Sequence, residues 1–590
     1  MRKLVYIILA ATAFASVAAS AQESKWSFGA TSQWQDNFSP YNTYELSGNH
    51  DKWQRSTIMA GLKGGYKGDK FKADLTFKGL RDKRNYFMET DEFKGNFLDD
   101  NVDPTSVQWK KGYNDFRDST WKYNIIFDCD WKISSADNLT VKYEREAQRK
   151  IGMTANILAE LTGGELIQIG YEHLNNKKSS DKTKIRYVHT FSEGKTLHSN
   201  VDAGLVKTDD KSEWTIISED MSEYMTAYLR TDLDVAADIY YENTVFAGIK
   251  NLTGRAGLKT DNHFDGDYLS RLKPADSEDE AWMLDEDNSR YVRYTAFKYG
   301  PYASATWKKG GLSLSGDAYL QMFNRLMNEN WKGGQFGWSE PEMIMNAKAG
   351  WNIGKGSSLA LSYKRNATRP TYDQTNPYLI QGSKADEVIV GNTKLKAAVS
   401  NVTGLDYAYK TGSLTLGCGT EFNFSRNEIE KVVDIDTLTN IKTRSWVNSA
   451  SSRTFNAKIS AAWNGKKLKA EASGNYKQYQ ATLASGKTVP SKTFSAKAKA
   501  SYQLPWDLKL SADVAYSSPT RKAYTKVSQY ITLNTKLEKV WGKLKIWVAG
   551  LDLLDRALVT STTNEEGIYE YIETANYYRR QLVIGVSYNF

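Results

Sequence analysis

Residues 493–504 read TFSAKAKASYQL. Phe494, Ala496, Ala498, Ala500, Tyr502 and Leu504 fall on one parity, Lys497 and Lys499 on the other. A period of two is the pattern of a strand with one apolar and one polar face. The pattern recurs along the chain, at 454–463 (TFNAKISAAW), 467–476 (KLKAEASGNY), 507–516 (DLKLSADVAY), 70–77 (KFKADLTF), 121–133 (WKYNIIFDCDWKI) and at the end, 582–590 (LVIGVSYNF). One such strand suits a soluble sandwich. Repetition over nearly the entire chain with no separate core suits a single large antiparallel barrel.

The medium follows from the cost of charge. A Lys facing a bilayer midplane costs roughly 2–4 kcal/mol, so the Ala/Phe/Tyr faces are assigned to lipid and the Lys faces to the lumen. Lys122, Lys469, Lys497, Lys499 and Lys509 are therefore expected to line the lumen. After residue 21 no run of 18–20 apolar residues exists, which excludes a transmembrane helix. The mean hydropathy of −0.58 and the 36 Tyr and 17 Trp agree with spans that are half polar and edged by aromatics. The net charge of +9 is scattered, with no basic segment interleaved with aromatics, so no nucleic-acid partner is expected.

Met1-Arg2-Lys3, an apolar stretch and "ASA" at 19–21 form a signal peptide over 1–21, removed before an outer-membrane β-barrel over 22–590. Short connections (68–69, 134–137, 192–195, 308–311, 354–357, 411–412, 464–465 and 541–542) alternate with long ones (35–55, 81–118, 259–292, 327–340, 367–393, 429–452 and 553–577). Short periplasmic turns and long extracellular loops have this form. Trp131, Trp307, Trp351, Tyr409, Trp463 and Trp541 precede short turns, as a periplasmic aromatic girdle does. The count is about 22 strands, the first near 25–34 and the last at 578–590. The stretch 150–182 is read as part of an outer loop; a span there would raise the count to 24.

A last strand that pairs with the first leaves no exposed edge. The C-terminus resembles those of bacterial outer-membrane proteins, which implies that Tyr588 and Phe590 serve the barrel-assembly machinery as an assembly signal.

Residues 361–409 resemble the barrel region of TonB-dependent receptors, in the outer membrane protein β-barrel family. The shared elements are Arg369-Pro370-Thr371-Tyr372, Asn376-Pro377-Tyr378 and Gly391-Asn392-Thr393-Lys394-Leu395, with Thr393 where the family has Pro. The resemblance implies a 22-stranded barrel in the outer membrane of a Gram-negative bacterium. It also implies passage or binding of a solute at the cell surface. Family receptors carry an N-terminal plug and a TonB-contact motif, for which "QESKW" leaves no room. A plug-less barrel is expected, with a plug or lipoprotein chain supplied in trans, inward-folded loops, or an open pore. The alternative is a structural or interaction barrel that binds a partner lipoprotein or host ligand through its outer loops.

Chemistry is sparsely represented, and neither an enzyme nor a cofactor is expected. The five His include no His-Glu-x-x-His. His198 and Asp202 share a lumen face without forming a site. "DNHFDG" at 261–266 opens like a calcium loop, yet His263 and Leu272 stand where ligands are needed, so 261–290 reads as a solvated outer loop and no metal is assigned. Arg369-Pro370 and Asn376-Pro377 read first as loop-shaping. Cys129 and Cys418 fall on apolar faces as free thiols.

Overall fold

The computed structural model describes residues 26–42, 52–94, 108–160, 166–217, 222–274, 282–286, 289–329, 335–339, 341–377, 380–381, 387–435, 442–449, 451–483, 486–522, 525–542, 544–554, 558–563, 569–575 and 581–589. Residues 1–21, expected as a signal peptide, and Phe590 lie outside them.

Among the described residues, 22 strands follow one another around an antiparallel sheet. They are β1 (Trp26–Asn42), β2 (Lys52–Lys67), β3 (Phe71–Lys94), β4 (Gln108–Lys132), β5 (Asp137–Glu160), β6 (Leu166–Ser192), β7 (Lys195–Ile217), β8 (Ser222–Asn243), β9 (Leu252–Pro274), β10 (Arg290–Lys309) and β11 (Leu312–Glu329). The second half comprises β12 (Glu342–Ile353), β13 (Ser357–Thr368), β14 (Ala398–Thr411), β15 (Leu414–Arg426), β16 (Ser451–Asn464), β17 (Leu468–Thr482), β18 (Thr488–Gln503), β19 (Leu508–Ser517), β20 (Tyr530–Trp541), β21 (Leu544–Leu551) and β22 (Gln581–Asn589). Each pairs with the next. β22 also pairs with β1, from Thr31↔Asn589 to Phe38↔Leu582.

The alternation sets the faces. On β18, Phe494 and Tyr502 are exposed, as are Leu75 and Phe77 on β3, and Ile459 on β16 is 66 % exposed. These large apolar side chains have no protein covering them. At one end of the sheet Trp131, Trp351, Tyr409, Trp463 and Trp541 are also exposed. The turns at that end are tight. Thr411 pairs with Leu414, and Gly412 holds φ at 52°, a left-handed value that glycine adopts without a Cβ clash.

The other end departs from the sequence reading. The stretches 81–118 and 259–292, expected as loops, are largely strand: β3 runs to Lys94, β4 starts at Gln108 and β9 runs to Pro274. β1 likewise continues to Asn42. Residues 150–182 form the far part of one hairpin, paired from Ile151↔Asn175 to Ala159↔Leu166, so they add no span. β3 to β9 are 22–27 residues long, about twice the 9–11 that cross a bilayer. A strand longer than the bilayer is thick has water on both faces over its excess length, where alternation has no apolar half to keep.

Between β13 and β14 the chain leaves the sheet as a strap, 369–397. Its strands 380–381 and 387–389 join those at 429–435 and 442–448 in a four-stranded sheet, with 387–389 parallel to 442–444.

Candidate functional site

The site is built on the polar face of β8 to β11, far from the tight turns. Arg230, Asp232 and Asp234 of β8 stand opposite Asp267, Asp265 and His263 of β9. Val292, Tyr294 and Ala296 of β10 face the same three residues of β9 from the other side. Met327 and Arg325 of β11 complete the row. The start of the segment expected as a solvated outer loop is thus a strand whose odd positions, Asp261, His263, Asp265 and Asp267, share one face.

Like charges directly opposed, as Asp232 and Asp265 are, repel unless compensated. Arg230 compensates both. Its Nε donates to Asp232 Oδ1 at 2.8 Å, and its Nη2 lies 2.6 Å from Asp265 Oδ2. Asp232, His263 and Asp265 bring potential ligand atoms within 4.8 Å of one another, but the guanidinium already supplies positive charge between the two carboxylates. His263 Nδ1 lies 2.7 Å from Asp234.

The strap packs onto this face. Thr371 caps a short turn of helix, Tyr372–Thr375, with Gln374 in a reciprocal capping box. That turn directs Tyr372 to the wall, where its hydroxyl donates to Asp267 Oδ2 at 2.7 Å. Asn376 Nδ2 donates to the same hydroxyl at 3.1 Å. Burial and the neighbouring Asp267 carboxylate push the Tyr372 hydroxyl well above the ordinary tyrosine range, so it stays a donor. Arg230 sits 5.5 Å above the Tyr372 ring and reaches Asp373 at 3.7 Å. Arg325 donates to the carbonyls of Pro370 and Leu395, both at 3.4 Å. Arg369 stacks over Phe323 at 4.6 Å. Val292, Tyr294, Ala296, Phe323, Met327 and Tyr372 make an apolar core beneath these bonds.

The strap's return limb closes on its start. Gly391 N donates to Asn376 O, and Asn392 N to Gln374 O, each at 2.7 Å. A Cβ on Gly391 would stand 2.4 Å from Asn376 N and O, so only glycine fits this approach. Asn392 Nδ2 donates to Trp446 O at 2.9 Å, and Asn448 bonds both the amide and the carbonyl of Lys396. Arg369, Pro370, Tyr372, Asn376, Gly391 and Asn392 therefore meet in one knot. Pro377 is half-buried beside it.

The lysines sit apart. Lys122 pairs with Glu146 at 2.7 Å. Lys469, Lys499 and Lys509 line a concavity of about 480 Å³ with Lys536, Glu471, Asp513 and Glu538. Lys497 stands in register with Ser473 and Ala515, on the parity of Lys499. Glu538 is bonded by Lys536 and Lys545 at 2.7 and 2.9 Å. Asp202 pairs with Arg186 at 2.6 Å, while His198 stacks on Tyr240 at 4.5 Å; the two do not meet. Tyr588 stands opposite Ser32 and Leu544, and Phe590 lies outside the described residues. Arg230, Asp265, Asp267 and Arg325 were not singled out in sequence, although the period-two run of acids at 261–267 was visible there.

A long antiparallel sheet with an uncovered apolar face, aromatic at one end, defines an outer-membrane β-barrel of a Gram-negative bacterium. Residues 346–588 match the outer membrane protein beta-barrel family, and the chain as a whole resembles the barrels of TonB-dependent receptors. The unliganded ferric citrate transporter FecA is similar at 11% identity and a TM-score of 0.62, over 95% of this chain and 78% of that one. The copper transporter OprC gives 10%, 0.62, 96% and 81%. The siderophore receptor PirA from Pseudomonas aeruginosa gives 11%, 0.54, 95% and 80%. No curated protein matches the sequence.

Proposed function

We propose that the chain binds or passes a solute at the cell surface, through a closed barrel whose mouth is narrowed by the strap. The observation that carries this reading is the strap's anchorage to the polar wall through Tyr372, Asp267 and Arg325. In this reading residues 1–21 are a cleaved signal and 22–590 the barrel. The tight turns are periplasmic and the long strand ends extracellular. The polar face, with Lys469, Lys499 and Lys509, borders the lumen. Among the similar structures FecA is a ferric citrate transporter, OprC a copper transporter and PirA a siderophore receptor, which favours a small solute or its chelate. A plug or lipoprotein chain in trans is compatible with the remaining lumen. Assembly proceeds through the barrel-assembly machinery.

The test is conductance of purified protein in planar bilayers. We expect channels with mild anion preference, because pore walls select by the sign of their charge. The preference falls at 1 M salt, where screening shortens to about 3 Å. Removing residues 372–389 raises the conductance. A barrel that stays non-conducting without the strap defeats the reading.

A second reading is an interaction barrel for a partner lipoprotein or host ligand. It is favoured by β3–β9, whose 22–27 residues carry a wall well past the bilayer.

A further inference from the structure

We propose that the hairpin formed by Leu558–Thr563 and Tyr569–Ala575 is a latch that joins the rim to β3 across the top of β1 and β2, and so holds the β1–β22 seam together. With the tight turns in the periplasm, this rim is extracellular. The latch does not depend on which solute the barrel passes.

The N-terminal hairpin leaves the wall early. β1 pairs with β22 only up to Phe38↔Leu582, and its register with β2 shifts between Phe38 and Asn42. β2 pairs with β3 only up to Arg55↔Arg84. β3 goes on to Lys94, paired with β4 on its other side throughout. Above Arg84 the edge of β3 that faced β2 would present unpaired N–H and C=O groups. The latch takes up that edge, antiparallel, from Glu89↔Thr574 to Lys94↔Tyr569.

The far side of the latch is anchored as well. Leu558–Thr563 pairs with Thr525–Val527, which pairs with Thr520–Lys522. Arg521 N donates to Ser491 Oγ of β18 at 3.0 Å, and Thr493 Oγ1 of β18 donates to Thr520 Oγ1 at 2.9 Å. From β18 to β3 the rim therefore runs through these four short strands. The wall beneath runs through β19, β20, β21, β22, β1 and β2. The upper path omits β22, β1 and β2 altogether.

The seam gains from such support. β1 and β22 pair over eight residues, Thr31 to Phe38, whereas β3 pairs with β4 over all 24 of its residues. Phe38 and Leu582 are separated by about 540 residues of chain, and closing a long loop costs entropy. With the latch shut, a parted seam recloses through the stretches from Phe38 to Glu89 and from Thr574 to Leu582, about 60 residues in all. For flexible chain, closure scales as the −3/2 power of length, so the latch favours reclosure roughly 30-fold.

The experiment uses the full mature protein, purified and folded in detergent, in two parts. In a Cys129→Ser/Cys418→Ser background, Asp91→Cys/Ile572→Cys should form an intramolecular disulfide on oxidation, since antiparallel partners stand about 5 Å apart. Asp91→Cys/Ser561→Cys should not, because Ser561 is the partner of Ile572 one strand further on, about 10 Å from Asp91. Hydrogen exchange then reads the seam. Replacing 558–575 by a short Gly/Ser linker should accelerate exchange in peptides covering 31–38 and 582–589 roughly 30-fold, with β16–β18 unchanged. Ile572→Pro, which removes one backbone donor from the latch, should shift the same peptides in the same direction. A missing 91–572 cross-link, or an equal yield at 91–561, overturns the juxtaposition. Unchanged seam exchange in a latch variant that still migrates as a folded barrel overturns the support. So does acceleration that reaches β16–β18 equally, which would be general loss of stability. No readout involves conductance, so failure here is distinct from failure of the solute reading.

Discussion

Tyr372 donates its hydroxyl hydrogen to Asp267 at 2.7 Å, joining residues 105 positions apart in the chain. Asp267 is 1 % exposed, and its nearest cation, Arg290, is 3.9 Å away. A carboxylate this deep depends on what it accepts. The bond therefore fastens the strap to the wall and satisfies the wall's own acid.

Tyr372→Phe keeps the ring and removes the donor. Leaving a buried acceptor short of a partner costs about 1–3 kcal/mol, which corresponds to roughly a 5- to 150-fold larger open population of the strap. Hydrogen exchange at the Gly391 and Asn392 amides, which bond Asn376 and Gln374, should accelerate by that factor while amides of β16–β18 keep their rates. Unchanged exchange at both strap amides would show that the bond does not hold the strap.

Gly391→Ala attacks the same knot by volume. The new methyl meets backbone atoms at 2.4 Å, whereas a Cβ on Gly266 of β9 meets nothing within 4 Å. Gly391→Ala should expose strap sites to limited proteolysis, and Gly266→Ala should leave the digestion pattern of the wild type. Identical patterns for the two variants would contradict the close approach.

The legibility of the sequence divides at the height of the bilayer. Where lipid covers one face, Ala498 and Lys499 must point oppositely, and the strand is readable from TFSAKAKASYQL alone. Where β3 passes Arg81, the run "RDKRNYFMETDEFK" (81–94) meets no lipid, and it reads as loop although it is strand to Lys94. The strap's motifs were visible, but their meeting was not. It depends on Arg230 lying opposite Asp267 and on Asn376 reaching Gly391. Registers between distant segments leave no local trace. The alternation of Asp261, His263, Asp265 and Asp267 did leave one, which the reading of 261–290 as a solvated outer loop passed over.

Cys129 and Cys418 are free. They lie on β4 and β15, eleven strands apart along the sheet, beyond the roughly 7 Å Cα separation a disulfide tolerates. Both share the parity of exposed apolar residues, Trp131 and Leu416. Non-reducing mass spectrometry of the folded protein should find two thiols. A membrane-partitioning maleimide should label Cys418, which is exposed, faster than the half-buried Cys129. An intramolecular Cys129–Cys418 bond would break the strand order.

The last strand has two partners to satisfy. Tyr588 stands opposite Ser32 of β1 and Leu544 of β21, so β22 is the seam on which the first and last strands meet. An unpaired seam is an open sheet edge, which invites aggregation. The backbone pairing needs no particular side chain at 588 or 590. Tyr588→Ser with Phe590→Ser should therefore leave the stability of already folded protein nearly unchanged, within about 1 kcal/mol. If the terminal aromatics act as an assembly signal, the same variant should instead lower the amount of heat-modifiable barrel recovered from outer membranes. Refolding of the purified variant into detergent separates the two. Normal refolding yield with a reduced outer-membrane level places the loss at recognition by the assembly machinery. A normal level of folded barrel in the membrane removes Tyr588 and Phe590 from that role.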